Sequence, residues 1–169
     1  LLSDLEHYDK VRDGWLLDTN IISLTIGRET LPDGVRHFFE TISDERLRIS
    51  VITLGEIRKG VEMVPFDHAL FTTDPEALGR TRHFVLQRKL AELERTWADR
   101  IIPVDVAVVN DWGKLLATHQ ERGDPIPAID GLIAATAYVH NLAVASHDAV
   151  FQRMREHLSV YDPWSYEPT

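Results

Sequence analysis

Four carboxylates stand at places in this chain where an apolar run gives way to a helical pattern. They are Asp18 in "LLDTNIISL", Glu56 in "ISVITLGEIRKGVE", Asp130 in "PIPAIDGLIAATA" and Asp148 in "LAVASHDAVFQR". Brought together, such groups repel: two carboxylates about 4 Å apart cost about 4 kcal/mol at an effective dielectric near 20. A cluster of them therefore asks for a proton or a cation. With oxygen donors and no cysteine or paired histidine, the cation of choice is hard, Mg2+ or Mn2+ rather than Zn2+. An ion held this way can position water, lower its pKa and neutralise charge building up on a phosphodiester, which is nuclease chemistry.

Each acid also has a purely structural use. Asp18 or Asn20 can cap the helix that follows, and Thr53 with Glu56 fits a capping box, "TLGE". Asp148 can cap a helix beginning at Ala149, and Asp130 favours the N-terminal dipole of its own helix. Asp130 is the hardest to explain that way. The face one turn on carries Ile133, Ala134 and Ala137, so the carboxylate is expected to be nearly buried, and isolated buried carboxylates are costly.

The elements that must position these acids alternate. "WLLDT" reads as a short buried strand with a helix from about Asn20, and "LPDGVRHFFETIS" as a helix with Phe38, Phe39 and Ile42 inward. Leu47 to Val51 reads as a strand feeding a helix from Thr53, and "VPFDHALFTTDPEALGR" as a loop or broken helical insert. A helix over about Thr81 to Ala98 precedes the strand "RIIPVD", and "VAVVNDWGKLLATHQERG" supplies the helix after it. "DPIPAIDGLIAATAYVHN" opens on two prolines and continues as a helix apolar nearly all round, hence buried. "LAVAS", the short helix in "HDAVFQRMREH" and a strand in "LSVYD" complete the series. Alternation of this kind predicts an α/β fold with a mainly parallel sheet of about five strands. In open sheets of that kind ligands bind beyond the carboxyl ends of the strands, where these four acids fall.

Composition narrows the class. With 169 residues, 44% apolar and 27% charged, the sequence predicts one soluble globular domain with a sizeable core. No run is long enough for a membrane span and no signal peptide is visible, and the lack of cysteine suits a reducing cytoplasm. A net charge of −9 argues against adhesion to nucleic acid through a globally basic surface. The run from Arg80 to Arg100, with Arg82, Arg88, Lys89 and Arg95, reads first as a solvated helix face. Residues 1–14 are polar and read as an N-terminal extension, 15–162 as the domain and 163–169 as a tail. The histidines lack ligand spacing; Trp97 and Trp112 read as core or interface residues, and Gly27 and Gly60 as helix ends.

The four acidic blocks, in this order, resemble the PIN-domain ribonucleases, and within them the VapC-type toxins of bacterial toxin–antitoxin pairs. The resemblance runs from about Trp15 to Tyr161, and the Asp130 segment, with proline ahead and small residues behind, is its most specific part. It implies a three-layer α/β/α fold, its central sheet flanked by helices, and a metal-dependent endoribonuclease in which Asp18, Glu56 and Asp130 hold the metal, Asp148 being the fourth and more variable member. It also implies a homodimer silenced by a cognate antitoxin whose tail enters the active-site groove, with DNA touched only through that antitoxin. Two positions depart from the family's habit. Gly55 stands where a serine is common, and Ser146-His147 where Thr-Arg is common. Ser146 can keep the hydroxyl's role; His147 reads first as a surface residue. Two rival readings are a phosphohydrolase using Asp18 as nucleophile, for which Asn20 stands where a second Asp is needed, and a PIN-fold binding module without catalysis.

Overall fold

The computed structural model describes residues 4–27, 30–64 and 81–166. The predicted insert at 64–82 falls almost wholly outside them. In chain order the elements are α1 (Asp4–Val11), β1 (Gly14–Leu17), α2 (Thr19–Gly27), α3 (Asp33–Thr41), β2 (Leu47–Ser50) and α4 (Val51–Glu62). There follow α5 (Arg82–Thr96), β3 (Ile101–Ile102), α6 (Val106–Glu121), α7 (Ala128–Val139), β4 (Leu142–Ala145), α8 (Ala149–Gln152) and β5 (Val160–Tyr161). A last 3-10 turn covers Pro163–Ser165.

The strands form one sheet in the order β3-β2-β1-β4-β5, and every neighbouring pair is parallel. The chain steps from β1 through β2 to β3 in one direction, then returns to place β4 and β5 on the other side of β1. The reversal opens a crevice at the carboxyl ends of β1 and β4, the place where such sheets bind ligands.

Both central strands, "GWLL" and "LAVA", are buried along their full length, because helices cover both faces of the sheet. Alternate side chains feed two cores. Trp15 and Leu17 join Ile21, Phe38, Ile49, Ile57 and Leu90 on one face, while Leu16 joins Leu115, Ile133, Val144, Phe151 and Met154 on the other. Trp15 meets Phe38 edge-on at 5.2 Å and Tyr161 at 6.0 Å. Truncating a side chain as enclosed as Leu17 costs about 2–5 kcal/mol. A three-layer α/β/α arrangement is the result, as predicted.

Several local expectations change. Residues 4–11, expected as polar extension, form α1, whose Leu5 reaches the first core. Helix α4 starts at Val51, earlier than expected, because Ser50 is its cap and accepts from the Ile52 amide. The "TLGE" box is therefore not formed: Thr53 lies inside the helix, buried, with its hydroxyl unpartnered, and Glu56 moves to the second turn. Gly60 likewise falls inside α4 rather than at its end.

Helix α7 is mostly buried, though Ile129 and Tyr138 are exposed. Its close seat on α6 depends on Gly131, where a Cβ would stand 3.0 Å from Leu116 and 3.2 Å from Trp112. Trp112 also donates from its indole to the Ala128 carbonyl at 3.0 Å, pinning the start of α7, and so has the interface role expected of it.

Candidate active site

The short strand β1 delivers Asp18 to the crevice because its four residues are spent inside the sheet. The Asp18 amide still bonds the Ala145 carbonyl of β4, at 3.1 Å, and its own carbonyl receives Ile22 to start α2. Its side chain is held on both sides: Oδ1 accepts from the Thr19 amide at 2.7 Å and Oδ2 from the Ser146 hydroxyl at 2.7 Å. Only 5% of the residue is exposed. Burial raises its pKa from 3.8 to about 6; the two hydrogen bonds oppose that rise, and the charges of Asp130 and Glu56 add to it.

Ser146 is the hub. Its hydroxyl donates to Asp18 and accepts from Asn20 Nδ2 at 3.2 Å and from the Asp148 amide at 3.0 Å, which uses its one proton and both lone pairs. The expectation that this serine supplies the hydroxyl at its position holds. Glu56, half-buried on α4, is oriented by the Thr19 hydroxyl, which donates to Oε2 at 2.5 Å. Thr19 was not anticipated from sequence, although it stands next to Asp18. Gly55, where a hydroxyl looked to be missing, is exposed, and a side chain there would touch nothing.

Asp130 lies in the first turn of α7. It is half-buried rather than nearly buried, since Pro127 to Ile129 run along the surface and leave its turn open to solvent. Burial raises its pKa first, and the nearby charges of Asp148 and Glu56 raise it further. Asp148 is exposed and caps α8 through Val150 N, at 2.9 Å, so the capping reading holds for it as well.

The structure thus brings Asp18, Glu56 and Asp130 within electrostatic reach of one another, with Asp148 beside Asp130. Among the described residues none of the four is in an ion pair, and no three His, Asp or Glu side chains are close enough to ring one metal ion. The arrangement is an anionic mouth with oriented oxygens. It is poorly made for a nucleophilic Asp18, whose two oxygens both accept hydrogen bonds and whose neighbour Asn20 turns its amide to Ser146.

From Glu56 a cleft of about 270 Å3 runs between α2, α4 and α5, lined by Ser23, Ile26, Ile57, Val61, Arg82 and Leu86. A second hollow, of about 320 Å3 between α6 and α7, includes none of the four acids. The basic run on α5 serves the fold where it is bonded. Lys89 caps α2 at the Ile26 carbonyl, Arg100 lies 4.1 Å over Trp97, and Glu94 of the same helix pairs with Arg58 of α4.

At the rim, His147 donates its amide to Asn20 Oδ1 at 3.4 Å, and its ring stacks on Trp164 at 4.7 Å. Its Nδ1 lies 3.0 and 3.2 Å from the two oxygens of Asp162. The supports come from the turn after β5. That turn is pressed so closely on α3 that a Cβ on Gly34 would stand 1.8 Å from the Pro163 carbonyl. Part of the supposed tail is therefore built into the domain.

Comparison with known proteins agrees with this architecture. The family profile "PIN domain" matches residues 15–157. The chain is 29% identical over 149 residues to Toxin FitB of Neisseria gonorrhoeae (strain ATCC 700825 / FA 1090), spanning 88% of this chain and 97% of that protein. It is 30% identical over 151 residues to VapC ribonuclease Y4jK of Sinorhizobium fredii (strain NBRC 101917 / NGR234), spanning 88% and 96%. In the solved structure of FitAB bound to an IR36 DNA fragment, one chain superposes with a TM-score of 0.74 at 28% identity, covering 91% of this chain and 98% of that one. A family match across most of the length and a VapC relative at this identity leave one assignment: the chain belongs to the PIN-domain family and, within it, stands with the VapC-type proteins.

Proposed function

We propose that this protein is a metal-dependent endoribonuclease and the toxin of a toxin–antitoxin pair. The observation that carries the reading is Asp18: a carboxylate 5% exposed at the sheet's switch point, facing two further acids and no described cation. Carboxylates perturbed in this way collect where chemistry is done. Relatives named as ribonucleases support the same reading.

A divalent ion fits the residues present. All candidate donors are carboxylate or hydroxyl oxygens, and Mg2+ ordinarily keeps several waters and takes only one or two protein carboxylates, so an open set of acids suits it. Asp18, Glu56, Asp130 and Asp148 are the residues to hold it. Once bound, the ion supplies charge neutralisation at the scissile phosphate and a water acidic enough to react near neutral pH.

The chain's own contribution is orientation. The Thr19 amide and Ser146 fix both oxygens of Asp18, each of which keeps a lone pair for a further partner, and the Thr19 hydroxyl fixes Glu56. Asp130 and Asp148 complete the negative rim. RNA, single-stranded or looped, is the substrate that can lay a phosphate across such a mouth.

The cleft beside Glu56, apolar with Arg82 at its edge, is the seat for the antitoxin's tail. Solved neighbours that are FitAB and VapBC complexes support such a partner, and DNA contact then belongs to the antitoxin. Exposed Val106, Val109 and Ile129, at corresponding ends of α6 and α7, offer a face for a second copy, which sedimentation of the purified chain tests.

The decisive experiment incubates the purified protein with a mixed RNA pool in Mg2+, Mn2+ or EDTA and sequences the new ends. Cleavage with either ion and none in EDTA is expected. Asp130→Asn should abolish cleavage while the protein stays folded; undiminished cutting by that variant overturns the assignment.

A further inference from the structure

The rim residue His147 is held more firmly than its exposure requires. Its side chain is 57% exposed, yet the ring is held by Trp164 on one face and by Asp162 at Nδ1, and its backbone by the bond to Asn20. An exposed histidine with no task keeps its rotamer freedom, because ordering it costs entropy and buries little. Trp164 does not need the ring for its own placement. It packs against the first core and donates its backbone amide to Asp162 Oδ1, at 2.9 Å. What the arrangement creates is a two-ring stack with an outer imidazole face turned to solvent. Its backbone lies between Ser146, which orients Asp18, and Asp148, the cap of α8.

We propose that His147, backed by Trp164 and oriented by Asp162, is a stacking platform for an unpaired base of the RNA beside the scissile phosphate. The proposal rests on the ribonuclease reading for its substrate class. The chemistry is that of single-strand recognition, in which flat side chains accept bases on their π-faces with little demand on sequence. Two of the three supporting groups, Asp162 and Trp164, lie beyond residue 157, where the family profile ends.

The test is binding of a fluorescein-labelled single-stranded RNA oligonucleotide of mixed sequence, followed by anisotropy in Ca2+, alongside cleavage of the same oligonucleotide in Mg2+. His147→Ala should weaken binding by about tenfold, the usual worth of one stacked base. His147→Phe keeps a flat face while removing both ring nitrogens, and should bind like the wild type. On an oligonucleotide of abasic ribose phosphates the His147→Ala penalty should vanish. Wild-type affinity in His147→Ala, a His147→Phe variant as weak as His147→Ala, a penalty that persists on the abasic backbone, or no RNA binding by the wild type each overturns the platform. Binding without cleavage by the wild type refutes the ribonuclease reading instead and leaves the platform standing.

Discussion

The two ends of the β1–β4 strand pair both carry carboxylates and treat their charge in opposite ways. At the amino end, Asp9 accepts from Arg46 at 2.8 Å and from the Trp15 indole at 3.0 Å, while Arg46 also donates to the Arg12 carbonyl at 2.8 Å. Arg12 reaches Ser159 and Asn141, and Asn141 in turn donates to Asp13. Anions there are answered by cations and amides supplied by the chain. At the carboxyl end, Asp18 and Glu56 are answered by hydroxyls and an amide, and among the described residues by no cation. Structural carboxylates are neutralised within the fold; the unneutralised ones mark where a ligand must complete the charge balance.

The sharpest way to break this contrast is to remove one acid from each end. Asp18→Asn should cut Mg2+-dependent RNA cleavage by about a thousandfold, the several kcal/mol that a correctly held ion is worth. Asp9→Asn should leave the rate at the wild-type value. Equal losses in a gel-based cleavage assay would erase the distinction between the ends. A step smaller, Ser146→Ala should lower the rate by about 10- to 100-fold, as loss of an orienting partner commonly does, with the protein still folded by circular dichroism.

Stability should respond in the opposite sense at the two ends. Arg46→Ala should lose about 2 kcal/mol in urea denaturation, because Asp9 and two carbonyls lose a part-buried charged donor. At the other end, folding raises the Asp18 pKa from 3.8 to about 6, so the folded protein binds that proton more tightly than the unfolded chain. Stability from this group therefore increases as pH falls from above 6 toward 4, and at pH 7.5 in EDTA its ionisation costs about 3 kcal/mol. Mg2+ at pH 7.5 should restore much of that, measured as a rise in melting temperature. Asp130→Asn in EDTA should likewise raise the melting temperature at pH 7.5, with the gain shrinking as pH falls, since protonation then relieves the wild type too. A clear drop would make Asp130 a structural residue. The smallest effect is expected for Asp148→Asn, because asparagine caps a helix as well as aspartate and α8 should keep its stability.

What sequence could show followed from periodicity and from junctions. Uninterrupted apolar runs at Trp15 and Leu142 gave the two buried strands. Turn chemistry placed Asp130 behind its prolines, and the alternation of elements fixed the sheet edge on which the acids gather. Contacts between elements distant in sequence were beyond that reach. The Thr19 hydroxyl meets Glu56 across 37 positions, and nothing in "LDTN" says to which side it turns. The start of α4 was misplaced because Ser50 and Thr53 are both good caps, and the choice between them is made by where β2 runs out of partners. Trp164 reads as part of a tail, and Asp162 as no more than the end of a strand segment, because their value lies in what they touch, which short-range pattern does not encode.

The pairing of β1 with β4 joins residues 14–17 to 142–145, and the bond from Ser146 to Asp18 spans 128 positions. On a ribosome, therefore, β1 and β2 can meet long before the residues that finish the mouth have been made, and pairings over such long separations form late. A chain interrupted after Val139 lacks the strand that seats beside β1 and the hydroxyl that aims Asp18. On the ribonuclease reading proposed above, competence to cut then arrives only when folding is complete.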